Sequence, residues 1–307
     1  MLYPLLFKPV YKDYIWGGNR IIQKFHRQAP QGTYAESWEV ADHNDGMSIV
    51  ETGPLKGKTL HELFLEHKED LMGQDADLTR FPLLIKLIDA EQNLSVQVHP
   101  DDESAELCGG EAKTESWVVL DALPNSVVYA GLKKQFPKEE ILKKLPSKEI
   151  LSLMRTLPIK KDDVIFIPGG RLHAIGSGSM VLEVQQNSNT TYRVYDFERG
   201  RPLHMEAAQK VLHYDDVDLP IIPPKKLEQT PAYTRTEMLR TSYFVIEKWN
   251  IHETIYWEKL KNKFEILFLT EGETSSIPLG RTLFLPAKCP SIEIETSGAT
   301  LFRIYLP

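Results

Sequence analysis

The sequence is poor in cysteine. Cys108 and Cys289 are its two thiols, far apart and outside any CxxC pattern, which argues against a disulfide framework, an iron–sulfur cluster or a thiolate zinc site. A reducing, cytoplasmic setting is therefore expected. Long apolar runs are missing too. No uninterrupted segment is long enough to span a bilayer, and the first nine residues carry neither a basic region ahead of an apolar one nor a small-residue cleavage site. A soluble, unexported protein is expected. No basic block interrupts a formal charge of −7, so nothing draws the chain to nucleic acid or to an acidic membrane, and no DNA-reading helix-turn-helix is evident. Internal repeats and low-complexity tracts are absent.

What is present is ordinary globular material: 307 residues, 42% hydrophobic and 26% charged, enough for one large domain or two smaller ones. Short apolar runs alternate with turns such as Trp16-Gly-Gly-Asn19 and Asn44-Asp-Gly46. Strands are predicted at Glu36–Val40, Phe81–Ile88, Leu94–His99, Glu115–Leu120, Ser126–Gly131, Asp163–Ile167, Met180–Val184 and Thr191–Phe197. A helix begins at the capping box Thr59-Leu-His-Glu62 and ends at Gly73. A helical insertion near 138–155 and a helix over His204–His213 complete the first part. The proline-rich run Leu219–Leu227 marks a linker, beyond which strands predominate from Tyr243 to Tyr305. The expected organisation is mainly β: a catalytic segment over 1–218, then a C-terminal β-sandwich or barrel domain over 219–307.

One stretch carries ligand chemistry. In Leu94-Ser-Val-Gln-Val-His99, apolar residues alternate with Ser95, Gln97 and His99, the period of a half-buried strand. Two-residue spacing places the Gln97 and His99 α-carbons roughly 6.5 Å apart, close enough for both side chains to lean on one small ion. Glu115 and His173 supply further oxygen and imidazole donors. Two histidines, a carboxylate and an amide oxygen make an open site of the kind catalytic zinc uses. His173 follows a strand and the turn Pro168-Gly-Gly-Arg171, where Gly169 and Gly170 permit a sharp reversal. Taken singly, each residue has a plainer explanation: His99 a hydrogen-bonded core histidine, Gln97 merely polar, Glu115 paired with Lys113. Their combination is what points to a metal.

Together these motifs resemble the cupin family and, within it, the type I phosphomannose isomerases. The likeness rests on Ser95-Val-Gln-Val-His99-Pro-Asp-Asp, Lys113-Thr-Glu115-Ser-Trp, Pro168-Gly-Gly-Arg-Leu-His173-Ala and Leu182-Glu-Val-Gln-Gln-Asn-Ser-Asn-Thr-Thr-Tyr-Arg193, with Trp16-Gly-Gly and Ala35-Glu-Ser-Trp38 upstream. It implies a cupin (jelly-roll) barrel and one zinc ion per chain held by Gln97, His99, Glu115 and His173. It implies Arg193 as the catalytic arginine, and Ser95, Lys113 and Glu183 along a sugar-phosphate pocket. The implied reaction interconverts mannose 6-phosphate and fructose 6-phosphate through an enediol. Two departures stand out. The large helical domain of longer members is replaced by the short insertion, and Asn189 stands where many members have aspartate.

Residue chemistry fits these roles. Arg193 stays charged at physiological pH and can face a developing enediolate. Glu183 alternates with Val181 and Gln185, so it can point inward as a base; the plainer alternative pairs it with Arg193 or a lysine. Lys113 offers a point charge for phosphate, with Arg171 or Arg20 as assistants. Trp16 and Trp38 are either pocket rim or core packing. Two rival functions share parts of the pattern: an iron oxygenase on two histidines and a carboxylate, and a non-catalytic sugar-phosphate-binding cupin. A small-molecule substrate and a monomer or weak homo-oligomer are expected.

Overall fold

The computed structural model describes residues 2–307. Its central strand, Leu83–Ala90, is buried along its whole length because both faces of its sheet are covered. Side chains alternate across a strand. Leu83, Ile85 and Leu87 therefore enter one core with Phe264, Phe284 and Phe302, while Lys86 and Ile88 look the other way, into a cleft. The sheet is antiparallel and six-stranded, in the order Val164–Ile167, Glu115–Ala122, Ser179–Gln186, Leu83–Ala90, Glu36–Val40, Val10–Lys12.

A five-stranded sheet lies across the cleft face, ordered Met154–Pro158, Val127–Leu132, His173–Ile175, Val96–Val98, Tyr192–Tyr195. Trp117, Val119 and Val181 of one sheet meet Val128, Ala130 and Ile175 of the other. The pair is a jelly-roll sandwich of cupin type, open rather than closed into a single barrel. Its outer face is covered by the predicted insertion, now a helix at Lys138–Lys144 and a 3-10 turn at Lys148–Ser152. Ile141, Leu145 and Ile150 pack there beside Val96, Val98 and Ala174. Val96 and Val98 thus fix that strand's register, and Gln97 is left on the cleft side.

The third layer is an eight-stranded sheet holding the C-terminal strands. The boundary expected at 218/219 is crossed here. Leu5–Lys8 pairs with Thr282–Leu285 on one side and with Ile49–Val50 on the other, so the first strands of the chain complete the C-terminal sheet. The physical reason is shared cover. Leu5 and Phe7 join Phe264, Phe268 and Phe284 against the outer face of the six-stranded sheet, one continuous core. The linker region also enters the sheet, as Lys225–Gln229 paired with Tyr233–Arg240; both strands are too polar to stand out in the sequence. The helix at Asp102–Cys108 was likewise not foreseen. Asp101 caps it reciprocally with Ser104. The capping box at Thr59 forms as expected, although the helix breaks at His67 into Leu60–Glu66 and Lys68–Met72. Among the described residues, no helix is long and apolar enough to cross a membrane.

Phe284 stacks on Phe264 at 5.5 Å and meets Phe7 and Phe81 edge-on or tilted, which ties the N-terminal, central and C-terminal parts together. Phe284→Ala is expected to cost about 3–5 kcal/mol in urea unfolding. A cost near zero would show that the outer layer does not support the sandwich.

Candidate metal centre and active site

Cross-strand neighbours build the site. In the five-stranded sheet, His173 and Arg193 are both register partners of Gln97, one on each side. In the six-stranded sheet, Trp117, Glu183, Lys86 and Trp38 stand directly opposite one another in turn. Directly opposed residues share a face, so two rows of functional side chains look at each other across the sandwich. The turn expected before His173 is present. Gly170 adopts φ +84°, and a Cβ there would fall 2.5 Å from the His213 ring, so a larger residue would be both strained and crowded.

His99, Glu115 and His173 converge, each offering a ligand atom within 4.8 Å of the others. His99 Nε2 lies 3.5 Å from Glu115 Oε2, and His173 Nε2 lies 3.5 Å from Glu115 Oε1. All three side chains are buried. His173 Nδ1 donates to the Arg171 carbonyl at 2.8 Å, which fixes the tautomer and leaves the Nε2 lone pair available. Gln97 sits alongside, its amide nitrogen 3.3 Å from His173 Nε2 and its oxygen 3.2 Å from Ser95 Oγ. Coordination through the Gln97 oxygen needs the amide turned over; Ser95, donor and acceptor alike, accommodates either orientation.

The electrostatics suit a cation. Burial holds the His173 imidazole down at about 3. Burial and the Lys113 ammonium keep His99 well below its usual range. Both rings are therefore neutral at neutral pH and free to act as ligands. Burial pushes the Glu115 carboxyl up to about 7, against the pull of Lys113. Its Oε2, buried, makes no hydrogen bond among the described residues, although Lys113 Nζ lies 3.0 Å away at an unfavourable angle. A carboxyl that burial makes reluctant to ionise, flanked by two neutral imidazoles, fits a divalent ion that would hold it deprotonated.

Beside this triad opens a cleft of about 200 Å³ that Glu115 lines and the two histidines do not. Gln97, Ser95, Lys113, Glu115, Glu183 and Arg193 all line it, so most of the residues singled out in the sequence are brought together. Glu183 is paired, but with a lysine the sequence reading did not name: Lys86 Nζ lies 3.2 Å from its Oε2. Burial pushes the Glu183 carboxyl up, yet Lys86 and Lys113 outweigh it and the group titrates below its ordinary value. Lys86 also approaches Glu36 at 3.7 Å and lies over the Trp38 ring, and these two carboxylates more than offset the burial that opposes its charge. Trp38 is thus core beneath the cleft. Trp16 lines it, with Tyr14 beside it.

Arg193 is held from behind. Its Nη1 donates to the Pro202 carbonyl at 2.8 Å, and its backbone N–H donates to His204 Nδ1. Arg201, also on the cleft, grips Asp196 together with Arg199. The expected assistants Arg20 and Arg171 are committed elsewhere. Arg20 clasps Asp89 and donates to the carbonyls of Gly178 and Ser179. Arg171 grips Asp216 through two bonds of 2.7 and 2.6 Å. Neither lines the cleft. Lys86, Glu36, Arg201 and Tyr14 are cleft residues that the sequence reading passed over. For Lys86 the signal was present: a lysine inside an apolar strand needs a buried partner.

A family model for phosphomannose isomerase type I, catalytic domain, matches residues 5–130. The mannose-6-phosphate isomerase ManA of Bacillus subtilis is 38% identical over 281 residues, 88% of this chain and 86% of that one. That of Streptococcus mutans is 37% identical over 268 residues, 83% and 81% of the two chains. The chain belongs to the type I phosphomannose isomerase family. The crystal structure of the mannose 6-phosphate isomerase from Bacillus subtilis superposes with a TM-score of 0.89 at 33% identity, over 99% of this chain and all of that one. This phosphomannose isomerase fold is therefore kept along the whole length, the C-terminal layer included.

Trp117 links the two carboxylates of the site: its indole N–H lies 3.1 Å from Glu115 Oε1 and 3.2 Å from Glu183 Oε1. Partners that orient ligands are typically worth 10–100-fold in metal affinity. Trp117→Phe is expected to lose about that much affinity for a divalent metal, measured by chelator competition. Unchanged affinity would show that Glu115 is oriented without the indole.

Proposed function

We propose that this chain is a zinc-dependent aldose–ketose isomerase interconverting mannose 6-phosphate and fructose 6-phosphate. One observation carries the reading: His99, Glu115 and His173 converge behind the wall of a cation-lined cleft that Glu115 and Gln97 line, within a chain of this family. Zinc held by Gln97, His99, Glu115 and His173, one ion per chain, would supply a Lewis acid or an organiser of substrate hydroxyls.

The remaining work falls to side chains. A proton leaves carbon 2 of the open aldose and arrives at carbon 1, and negative charge develops on oxygen as the enediol forms. Arg193 faces the cleft with its guanidinium anchored by Pro202, so it meets that charge without reorganising. Glu183 is the proposed base, taking the proton from one carbon and returning it to the other. The Lys86 ammonium keeps it ionised and ready to accept, at some cost in basicity. His99 and His173 are poorer bases, because metal ligation uses the lone pair each would need.

Substrate binding is assigned to Ser95 and Lys113 on the inner wall. Arg193 and Arg201 stand with Arg199 around Asp196, and three guanidiniums against one carboxylate leave positive charge for a phosphate. The aromatic pair Tyr14 and Trp16 gives the sugar an apolar face. An iron oxygenase would use the same two histidines and carboxylate but would give Lys113, Arg193 and Arg201 no task.

A coupled assay on purified protein tests the reading. Mannose 6-phosphate turnover is expected, lost on chelation and restored by zinc; absence of turnover in the zinc-loaded protein would overturn it. Glu183→Gln is expected to lower kcat by about 10²–10⁴-fold, the usual worth of a general base. Arg193→Ala is expected to lower kcat far more than it raises KM, whereas Arg201→Ala should act mainly on KM. An unchanged kcat in either of the first two removes that residue from the mechanism.

A further inference from the structure

Glu111 does not line the cleft, yet it gathers contacts from three distant parts of the chain. Its Oε1 accepts from Arg80 Nη1 at 2.8 Å. Its Oε2 accepts from His43 Nε2 at 3.0 Å and from the Asn189 backbone N–H at 3.2 Å. The tautomer of His43 is set by its other nitrogen, which accepts from the Asp45 N–H at 3.0 Å; Nε2 is left as the donor. The Glu111 backbone is engaged as well. Its N–H donates to Thr190 Oγ1 and its carbonyl accepts from Ser188 Oγ, both at 3.0 Å.

Three of these bonds, those with Ser188, Asn189 and Thr190, reach one short segment, 187–191. That segment carries Asn189 and Thr191, which line the cleft, and it leads directly into Arg193. Its far side is tied to the hairpin formed by Asp42–His43 and Gly46–Met47. Asn187 Nδ2 donates to the Asp42 carbonyl, and Asn189 Nδ2 donates to Asp45 Oδ2 at 2.7 Å. Among the described residues, Glu111 is the one carboxylate from outside both that bonds the hairpin and the cleft segment. Two residues further on, the same strand approach delivers Lys113 to the metal-binding triad.

We propose that Glu111 is a positioning residue: it clamps the 187–191 wall against the 42–47 hairpin and so fixes the width of the substrate cleft. Its action is on substrate fit, through Asn189 and Thr191, and not on the reacting atoms. A charged acceptor is the stronger choice for this task, because hydrogen bonds to an ionised carboxylate exceed neutral ones. Burial opposes that ionisation, but the bonds from Arg80, His43 and Asn189 outweigh it and hold the Glu111 carboxyl below its usual range.

The kinetic half of the test rests on the isomerase reading; the exchange half does not. Glu111→Ala and Glu111→Gln are compared with the parent in the zinc-loaded full chain. Losing a charge-assisted bond that holds the segment closed should raise hydrogen exchange about tenfold in a peptide covering 187–191, with the strands of the eight-stranded sheet unchanged. KM for mannose 6-phosphate should rise by about the same factor while kcat stays within about threefold. Glu111→Gln keeps an acceptor for the Asn189 N–H and should bring both readouts back most of the way. Unchanged exchange at 187–191 in Glu111→Ala overturns the clamp whether or not the parent turns over sugar phosphate. A uniform rise in exchange across the chain, or a fall in kcat at constant KM, overturns it in favour of general support of the fold. A parent without turnover defeats the functional reading alone, and exchange still decides the clamp.

Discussion

A carboxylate buried between two imidazoles is the constraint on which the rest of the structure depends. Burial disfavours the charge on Glu115, the neutral rings of His99 and His173 offer no compensation for it, and the Lys113 ammonium 3.0 Å from Oε2 offsets only part of it. A divalent cation would resolve that conflict; a bare apolar surrounding would not. The jelly roll supplies the two faces that make the arrangement possible. One strand presents Gln97 between His173 and Arg193, and the facing sheet presents Glu115 two residues before Trp117 in the row that runs on through Glu183 and Lys86. Moving any of these strands by one residue in register would send its functional row into an apolar core.

Rigidity in the site comes from layers behind it. The six-stranded sheet is fixed by an aromatic core shared with the eight-stranded sheet, and the five-stranded sheet by the helical insertion. Each layer uses alternation to keep one face apolar and to release the other for chemistry. The N-terminal strand Leu5–Lys8 pairs with Thr282–Leu285, so the two ends of the chain brace the same sheet. Charge follows the same logic. Lys86 lies among Glu36, Glu183 and the Trp38 ring, so an ammonium deep in the sandwich is stabilised by two carboxylates that themselves border the cleft and by a core indole.

Local pattern made much of this legible in the sequence. Strict alternation around Gln97 and His99 announced a strand with a polar inner face, and the Pro-Gly-Gly turn announced the presentation of His173. The Thr59 capping box and the strand at Glu36–Val40 were readable to the residue. Long-range pairing was not. Nothing local in Leu5–Lys8 tells which sheet it joins, because that choice is made by the apolar face it helps to cover. Lys86 looked like an interruption of an apolar run, since its partners Glu36 and Glu183 are far away in sequence. Arg20 and Arg171 carry the right charge for phosphate, but Asp89 and Asp216 claim them; single residues do not reveal that kind of commitment. The polar strands Lys225–Gln229 and Tyr233–Arg240 were hidden because the edge strand and its neighbour are mostly exposed or half-buried and carry no continuous apolar stripe.

The central claim is that four scattered side chains gather around one divalent ion. Zinc K-edge absorption and metal analysis of protein loaded with zinc and then desalted address it most directly. The account predicts one zinc per chain with two imidazoles and oxygen donors as nearest neighbours, and loss of one imidazole signature in each of His99→Ala and His173→Ala. Zinc retained with an unaltered spectrum in both variants would place the ion elsewhere and contradict the account.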